Sequence, residues 1–149
     1  MATFTPSTSI DTRSGKLQWR VRFVSVPHAL LTHPTYGELT GGAAKLLLAL
    51  LADYVGNNNG HLTATFSRMK RFGFYSKDSL ARGIRELLAF GYIVRTKTQH
   101  LRSPALYAVT WLPIDKAPAG QPYDTGVSPS EEASDEWRHI DPWKARSAA

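Results

Sequence analysis

The chain has 149 residues, of which 42% are hydrophobic, 20% charged and 11% aromatic, the composition of one folded domain with appendages. It has no cysteine, which excludes disulfide frameworks, thiol catalysis and cysteine-ligated metal sites and agrees with a reducing compartment. The opening segment is polar and the longest apolar run, residues 46–52, covers 7 residues against the ~20 that span a bilayer, so we expect no export, no membrane span and a cytoplasmic location.

Charge is distributed unevenly along the chain. The formal net charge is +6, but residues 1–112 carry +9 and residues 113–149 carry −3. Within residues 61–102, nine lysines and arginines stand against two acidic residues, a net charge of +7. Such a concentration of one sign predicts a polyanionic partner for this segment.

The first third of the chain predicts an arm, a strand and two helices. Residues 1–19 are rich in Thr, Ser, Pro and Gly and are expected to form a flexible N-terminal arm. Residues 20–26 are β-branched and aromatic, which predicts a short strand, and one helical turn follows over residues 28–31. Thr40 is placed to cap a helix to about Val55 that is apolar nearly all round, so this helix is predicted to be central and buried.

The same Leu-rich helix has a second interpretation. Its apolar residues could form the seam of an oligomer, but the sequence lacks sustained heptads. A place in the core is therefore favoured, and a homodimer is left open.

Two further helices are predicted after a loop at residues 56–60. Thr63 or Thr65 is placed to cap a short helix that ends at Gly73, a position that suits a left-handed residue. Ser76 is placed to cap a longer helix that ends at Gly91.

The longer helix carries one apolar stripe. Its helical spacing is i, i+4, i+7 and i+8, which predicts that the stripe packs inward. At 100° per residue the opposite side is expected to be exposed. The stripe consists of Leu80, Ile84, Leu87 and Leu88, and the opposite side of Ser79, Arg82, Arg85, Glu86 and Ala89.

The last third predicts a hairpin and a tail. Residues 92–98 and 105–112 alternate in polarity around a short polar loop, with Tyr92, Val94 and Thr96 on one face, which predicts a β-hairpin. The folded body is then expected to span residues 20–112. Residues 113–149 are acidic and rich in Pro and Ser and are predicted to form a disordered tail.

One aromatic motif interrupts this tail. Trp137, Ile140 and Trp143 recur every three residues, a spacing that one helical face presents to a groove on a partner protein or on the protein's own body. The alternative is an inert acidic tail with incidental aromatic residues.

Residues 62–93 carry a resemblance to a known family. The runs LTATFS at 62–67 and FYSKDSLARGIRELLAFGYI at 74–93 resemble the turn and recognition helix of bacterial winged helix-turn-helix proteins, and most closely the small helix-turn-helix proteins of phages, plasmids and integrative elements. The resemblance covers about residues 23–111 and is most specific over residues 76–93. It implies an α+β winged helix-turn-helix domain with three to four helices and the hairpin as its wing.

The function that this resemblance implies is sequence-specific binding of double-stranded DNA. The protein would act as a transcriptional regulator, or as a replication or maintenance accessory of a phage or plasmid-like element. The N-terminal half of the helix beginning at Ser76 would contact the DNA.

The candidate DNA-binding side chains fall into three groups. Arg82 and Arg85 suit base edges, because a guanidinium pairs bidentately with guanine or phosphate. At the start of the same helix, free backbone N–H groups favour a phosphate. The helix start contributes Ser76, Lys77 and Ser79, the preceding helix Arg68, Lys70 and Arg71, and the wing Lys97, His100 and Arg102, which are expected to contact the DNA backbone or an adjacent groove.

Two alternatives stand beside this interpretation. Arg82 has Asp78 four residues before it and Glu86 four after it, a spacing that also suits ordinary ion pairs on a helix surface. The alternative function is a winged-helix module that binds a host or phage protein complex. No enzymatic activity, metal or other cofactor is expected, because the five histidines lack metal-ligand spacing and no phosphate loop or nucleophile elbow is present.

Overall fold

The computed structural model describes residues 8–14, 17–19 and 22–149. Within them the chain is an α+β fold with six α-helices and two antiparallel two-stranded sheets, so the predicted α+β class is confirmed. The same residues contain no helix that is both long enough and apolar enough to cross a membrane. The elements are β1 (Thr8–Ile10), β2 (Leu17–Trp19), α1 (His28–Leu31), α2 (Pro34–Glu38), α3 (Gly41–Leu51), α4 (Phe66–Met69), α5 (Lys77–Ala89), β3 (Ile93–Lys97), β4 (Leu106–Val109) and α6 (Pro142–Ala148).

Regular structure begins earlier than the sequence predicts. The described part of the arm contains the β1–β2 hairpin, with Thr8 opposite Trp19, whereas residues 1–7, 15 and 16 lie outside the described residues. The strand expected over residues 20–26 is wrong at residues 22–26, which form no strand, and residues 20 and 21 are not described. Strand propensity reflects packing in a paired sheet rather than a backbone preference. Here β1 pairs with β2, and residues 22–26 pair with no strand.

The central helix α3 is buried as predicted but ends earlier. The Thr40 hydroxyl caps it by accepting the Ala43 N–H at 3.2 Å. The helix ends at Leu51 rather than near Val55, because the Asn58 side chain takes the backbone groups that would continue it. Its amide donates to the Asp53 carbonyl at 2.9 Å and accepts the Val55 N–H at 2.8 Å.

Helices α3 and α5 pack closely in the core. A Cβ at Gly83 of α5 would lie 3.2 Å from the Leu46 side chain and 3.8 Å from Ala43 Cα of α3. Leu46, Leu50 and Leu87 are fully buried where the two helices meet the rest of the core. The absence of a side chain at position 83 therefore allows the short distance between the helices.

The loop at residues 56–60 is confirmed, but it is anchored by a buried side chain. Asn59 is fully buried. Its amide accepts the Val109 N–H at 2.8 Å and donates to the Val109, Leu112 and Pro113 carbonyls at 2.8–3.1 Å. Because an unpaired buried amide is costly, these bonds fix the loop against the end of β4.

Strands β3 and β4 form the predicted hairpin, with Ile93 opposite Val109. The pairing shifts between Arg95 and Lys97, and the expected alternation already fails before that shift. Tyr92, Ile93 and Thr96 are buried, while Val94, expected to share the face of Tyr92 and Thr96, is half-buried. The bulge changes the face only of the side chains that follow Arg95, whereas Tyr92 and Ile93, which precede it, both lie in the core.

Residues 113–149 are not the disordered tail that the composition predicts. Trp137 is fully buried, stacks on the Tyr92 ring at 6.4 Å and meets the His33 ring edge-on at 5.2 Å. Helix α6 packs against α5 and α2, where Arg146 pairs with Glu38. A few long-range aromatic and backbone contacts hold this polar segment, and average composition does not reveal such contacts.

Replacing Trp137 with alanine is expected to lower the free energy of unfolding by about 3–5 kcal/mol, because it empties a large buried site. Urea unfolding of the full chain, followed by far-UV circular dichroism, measures this. The matched control is Trp143→Ala, whose side chain is 77% exposed and whose loss is expected to change stability by less than about 0.5 kcal/mol. Small and equal losses for both variants would contradict a structural role for Trp137.

Candidate nucleic-acid interface

Helices α4 and α5 are joined by a tight turn of the kind that the sequence predicts. Thr65, rather than Thr63, is the N-cap residue of α4, and a 3-10 turn over Lys70–Phe72 extends that helix. Gly73 adopts the left-handed conformation with φ of 88°, which ends the first helix as expected. Ser76 then caps α5 by accepting the Ser79 N–H at 3.4 Å.

Helix α5 presents a polar face to solvent. Leu80 and Leu87 are buried, and Ile84 and Leu88 are half-buried against the core, as the apolar stripe predicts. Ser76, Lys77, Ser79, Arg82 and Arg85 are exposed. The prediction is wrong for Glu86, which is only 5% exposed, and for Ala89, which is half-buried against the core.

Glu86 joins α5 to the start of α3. Its two carboxylate oxygens accept the Thr40 N–H at 2.5 Å and the Thr40 hydroxyl at 2.8 Å. The Thr40 hydroxyl in turn caps α3, and the positive end of a helix dipole favours a carboxylate. These tertiary hydrogen bonds outweigh the solvent exposure that helical periodicity alone predicts for position 86.

The exposed arginines of α5 have no acidic partner: Glu86 is turned inward, and Asp78 is exposed but forms no ion pair within the described residues. In the described part of the chain, no ion pair includes Arg82, Arg85 or Asp78. The helix-surface ion pairs that the sequence allowed for Arg82 are therefore not formed. Both guanidinium groups face solvent with their donors available.

The cations near α4 differ in what they contact: two arginines pair with an acid, and one lysine lies over an aromatic ring. Asp53 accepts from Arg68 Nε at 2.6 Å and from an Arg71 terminal nitrogen at 2.8 Å. The hydrogen bond from Arg68 lowers the pKa of Asp53, and the same bond raises the pKa of Arg68. Lys70 instead lies over the Phe66 ring at 5.0 Å.

The wing carries its candidates on β3 and at its tip. Lys97 is half-buried and Arg102 exposed. The tip is closed by two backbone hydrogen bonds between His100 and Ser103, at 3.0 and 3.2 Å, which place Arg102 in the turn. The His100 ring lies 3.0 Å from the Asp124 carboxylate of the C-terminal segment.

Asp124 binds the wing through several donors. Its carboxylate accepts the Thr98 N–H at 2.7 Å and the Thr98 hydroxyl at 2.8 Å. The His100 hydrogen bond, followed by these two, lowers the pKa of Asp124 to about 2. An acid of the C-terminal segment therefore offsets one of the three wing candidates.

The structure brings part of the predicted set together and adds one residue. Lys70 and Lys77 of that set lie over the same Phe66 ring, and Lys77 lines a groove of about 350 Å³ together with Gln99 of the wing, which was not predicted. Sequence reasoning missed Lys45, whose ammonium lies 2.6 Å from where a Cβ on Gly73 would stand, directly against the α4–α5 turn. The available signal was that Lys45 is one of two charged residues on an otherwise apolar helix, so its side chain had to point outward.

No protein-family model, curated protein or solved structure matches the chain. The likeness to winged helix-turn-helix proteins therefore rests on the residues quoted above.

Replacing Glu86 with alanine is expected to lower the free energy of unfolding by about 1.5–3 kcal/mol, the range for hydrogen bonds to a charged group. Arg85→Ala on the same helix is the matched control, and its stability is expected to stay within about 0.5 kcal/mol of wild type. Urea unfolding at neutral pH measures both. A Glu86 variant as stable as the control would show that the contact with Thr40 does not hold the two helices.

The contact between Asp124 and the wing is expected to be lost on acidification. A carboxylate whose pKa is lowered by folding stabilises the folded state at pH values above its ordinary pKa, and this contribution disappears as the pH falls through the folded pKa, here about 2. A carboxyl-detected NMR titration is expected to give a midpoint near 2 for Asp124 and a higher midpoint in His100→Gln. An unchanged midpoint in that variant would contradict the role of His100.

Proposed function

We propose that this protein binds double-stranded DNA sequence-specifically through a winged helix-turn-helix domain. In this proposal α4 and α5 are the helix-turn-helix, α5 is the recognition helix and the β3–β4 hairpin is the wing. Three observations support this proposal. The elements follow one another in the expected order, and the left-handed Gly73 lies between the two helices. Two backbone hydrogen bonds also pair Leu62, which precedes α4, with Tyr107 of β4.

One observation carries the proposal: Arg82 and Arg85 are exposed on α5, and no acidic side chain of the described residues pairs with them. An arginine that is already paired must give up its carboxylate before it binds a base edge or phosphate. These two arginines have no such competitor, and a guanidinium pairs bidentately with guanine.

The surrounding cations supply affinity without sequence preference. Lys77 lies at the start of α5, Lys45 and Lys70 lie beside the turn, and Lys97 and Arg102 lie on the wing. Each phosphate that such a side chain neutralises releases bound counterions and strengthens binding at low salt. This agrees with the concentration of positive charge in residues 61–102.

The biological role that fits this activity is transcriptional regulation, or an accessory role in replication or maintenance of a phage or plasmid-like element. The proposal needs DNA binding alone and no catalytic step. A homodimer on a two-fold symmetric site is compatible with it.

Selection of bound fragments from random DNA gives the duplex on which the proposal is tested. On that duplex, Arg82→Ala and Arg85→Ala are each expected to weaken binding by about 1–3 kcal/mol and to relax preference at one position. Lys97→Ala and Arg102→Ala are expected to weaken selected and scrambled duplexes alike and to reduce the salt dependence.

The control for that series is Arg138→Ala, because Arg138 pairs with Asp135 in the C-terminal segment and is expected to leave DNA binding unchanged. The melting temperature of each variant must equal that of wild type. If all four variants lose the same affinity for selected and scrambled duplexes, the four cations form only a nonspecific electrostatic surface. Absence of binding even at low salt would exclude the proposal.

The second candidate function is a protein-binding winged-helix module, and the exposure of Trp143 favours it. The three residues of the motif that was expected to dock on a partner differ in exposure. Trp137 is fully buried in the protein itself, Ile140 is half-buried, and Trp143 is 77% exposed on α6. Exposed tryptophans are frequent anchors of protein interfaces. A Trp143→Ala variant that keeps full DNA binding and loses a cellular protein partner would favour this function.

A further inference from the structure

Two lysines, one from each side of the α4–α5 turn, lie near the ring of Phe66. The Lys70 ammonium, from the 3-10 turn after α4, lies 5.0 Å from the centroid of the Phe66 ring. The Lys77 ammonium, from the first residue of α5, lies 5.9 Å from the same centroid. The negative face of an aromatic ring attracts a cation and so restricts a flexible lysine side chain.

Neither of these lysines has an acidic partner. Among the described residues, the ion pairs include neither Lys70 nor Lys77, in contrast to Arg68 and Arg71, which share Asp53. The lysine donors therefore remain available, and two uncompensated ammonium groups near one ring favour an anionic ligand.

The lysine pair lies beside a groove between the helices and the wing. The groove has a volume of about 350 Å³, and its walls come from α4, α5 and the hairpin. Phe66, Ile84 and Tyr107 give it apolar surface, whereas Lys77, Thr65 and Gln99 add polar groups, and none of its lining residues is acidic. An apolar surface next to cations suits a sugar and its phosphate better than a bare inorganic ion.

We propose that Phe66 is a positioning residue that holds Lys70 and Lys77 against the phosphodiester backbone of one DNA strand at the mouth of this groove. The inference rests on the proposed function, because a strand that passes from the recognition helix to the wing meets both walls of the groove. Phe66 itself makes no ion pair with the DNA. It acts by restricting the two ammonium groups to one region.

The experiment replaces single phosphates of the selected duplex by neutral methylphosphonates, one position at a time, and measures the affinity of the full chain. In wild type, we expect neutralisation of one phosphate, or of either of two neighbouring phosphates on the same strand, to weaken binding because the two lysines contact them. Lys70→Met and Lys77→Met keep the aliphatic stem and are each expected to abolish the effect of neutralisation there and to reduce the salt slope by about 0.9.

Phe66→Leu is expected to weaken binding by about two- to fivefold, the equivalent of an exposed cation–π contact, and to reduce the effect of neutralisation at the same phosphates. Phe66→Tyr keeps the aromatic face and is expected to restore both. The matched control is Phe72→Leu, because the Phe72 ring lies under Arg71 at 4.7 Å and that guanidinium is already bound by Asp53. Melting temperatures identify any variant that fails to fold.

The outcomes separate this inference from the proposed function. Wild type that binds no duplex overturns both. Normal duplex binding with an unchanged methylphosphonate profile in Phe66→Leu, or lysine-dependent phosphates on opposite strands, overturns the role of Phe66 alone. NMR titration with inorganic phosphate tests the other source of the same chemistry: if the lysine variants weaken phosphate binding but not duplex binding, the site holds a free anion and the inference is wrong.

Discussion

The buried carboxylate of Glu86 is the contact on which the rest of the candidate interface depends. A buried charge is tolerated only where hydrogen bonds satisfy it, and both donors come from Thr40 at the start of α3. Successive side chains of a helix are 100° apart, so an inward Glu86 fixes the rotation of α5 about its axis. Close packing at Gly83 against α3 reinforces this rotation. Arg82 lies only about 40° from Glu86 around the helix, yet Arg82 and Arg85 both remain exposed.

Among the described residues, some cations of the surface are bound by acidic side chains, and others remain unpaired. Asp53 binds two arginines near α4, and Asp124 binds the histidine of the wing. Of the two acids that the sequence places beside Arg82, Glu86 is instead used inside the protein, and Asp78 forms no ion pair within the described residues. The net charge of residues 61–102 therefore overstates the number of cations that are free to bind a polyanion. Within the described part of the chain, the unpaired ones lie on α5, around the α4–α5 turn and on the wing.

The C-terminal segment is part of the same folded unit as the helices. A Cβ at Gly91, the left-handed residue that follows the C-cap of α5, would lie 3.0 Å from the Trp137 backbone nitrogen and 2.9 Å from the Ile140 side chain. The end of α5 and the buried tryptophan thus share one tightly packed site. Because α6 also packs on α5, the C-terminal segment helps to support that helix.

The sequence by itself determined the features that depend on near neighbours. The caps Thr40 and Ser76, the left-handed Gly73, the buried leucines of α3 and the hairpin all follow from local hydrogen bonding and from residue periodicity. The tertiary structure alone decided the inward position of Glu86 and the burial of Trp137, and it paired Arg68 of α4 and Arg71 of the following 3-10 turn with Asp53. Each of those contacts joins residues 15 or more positions apart, such as Arg68 with Asp53 and Thr40 with Glu86. Periodicity and composition report which residues share a face or a segment, and they carry no information about which distant group that face will meet.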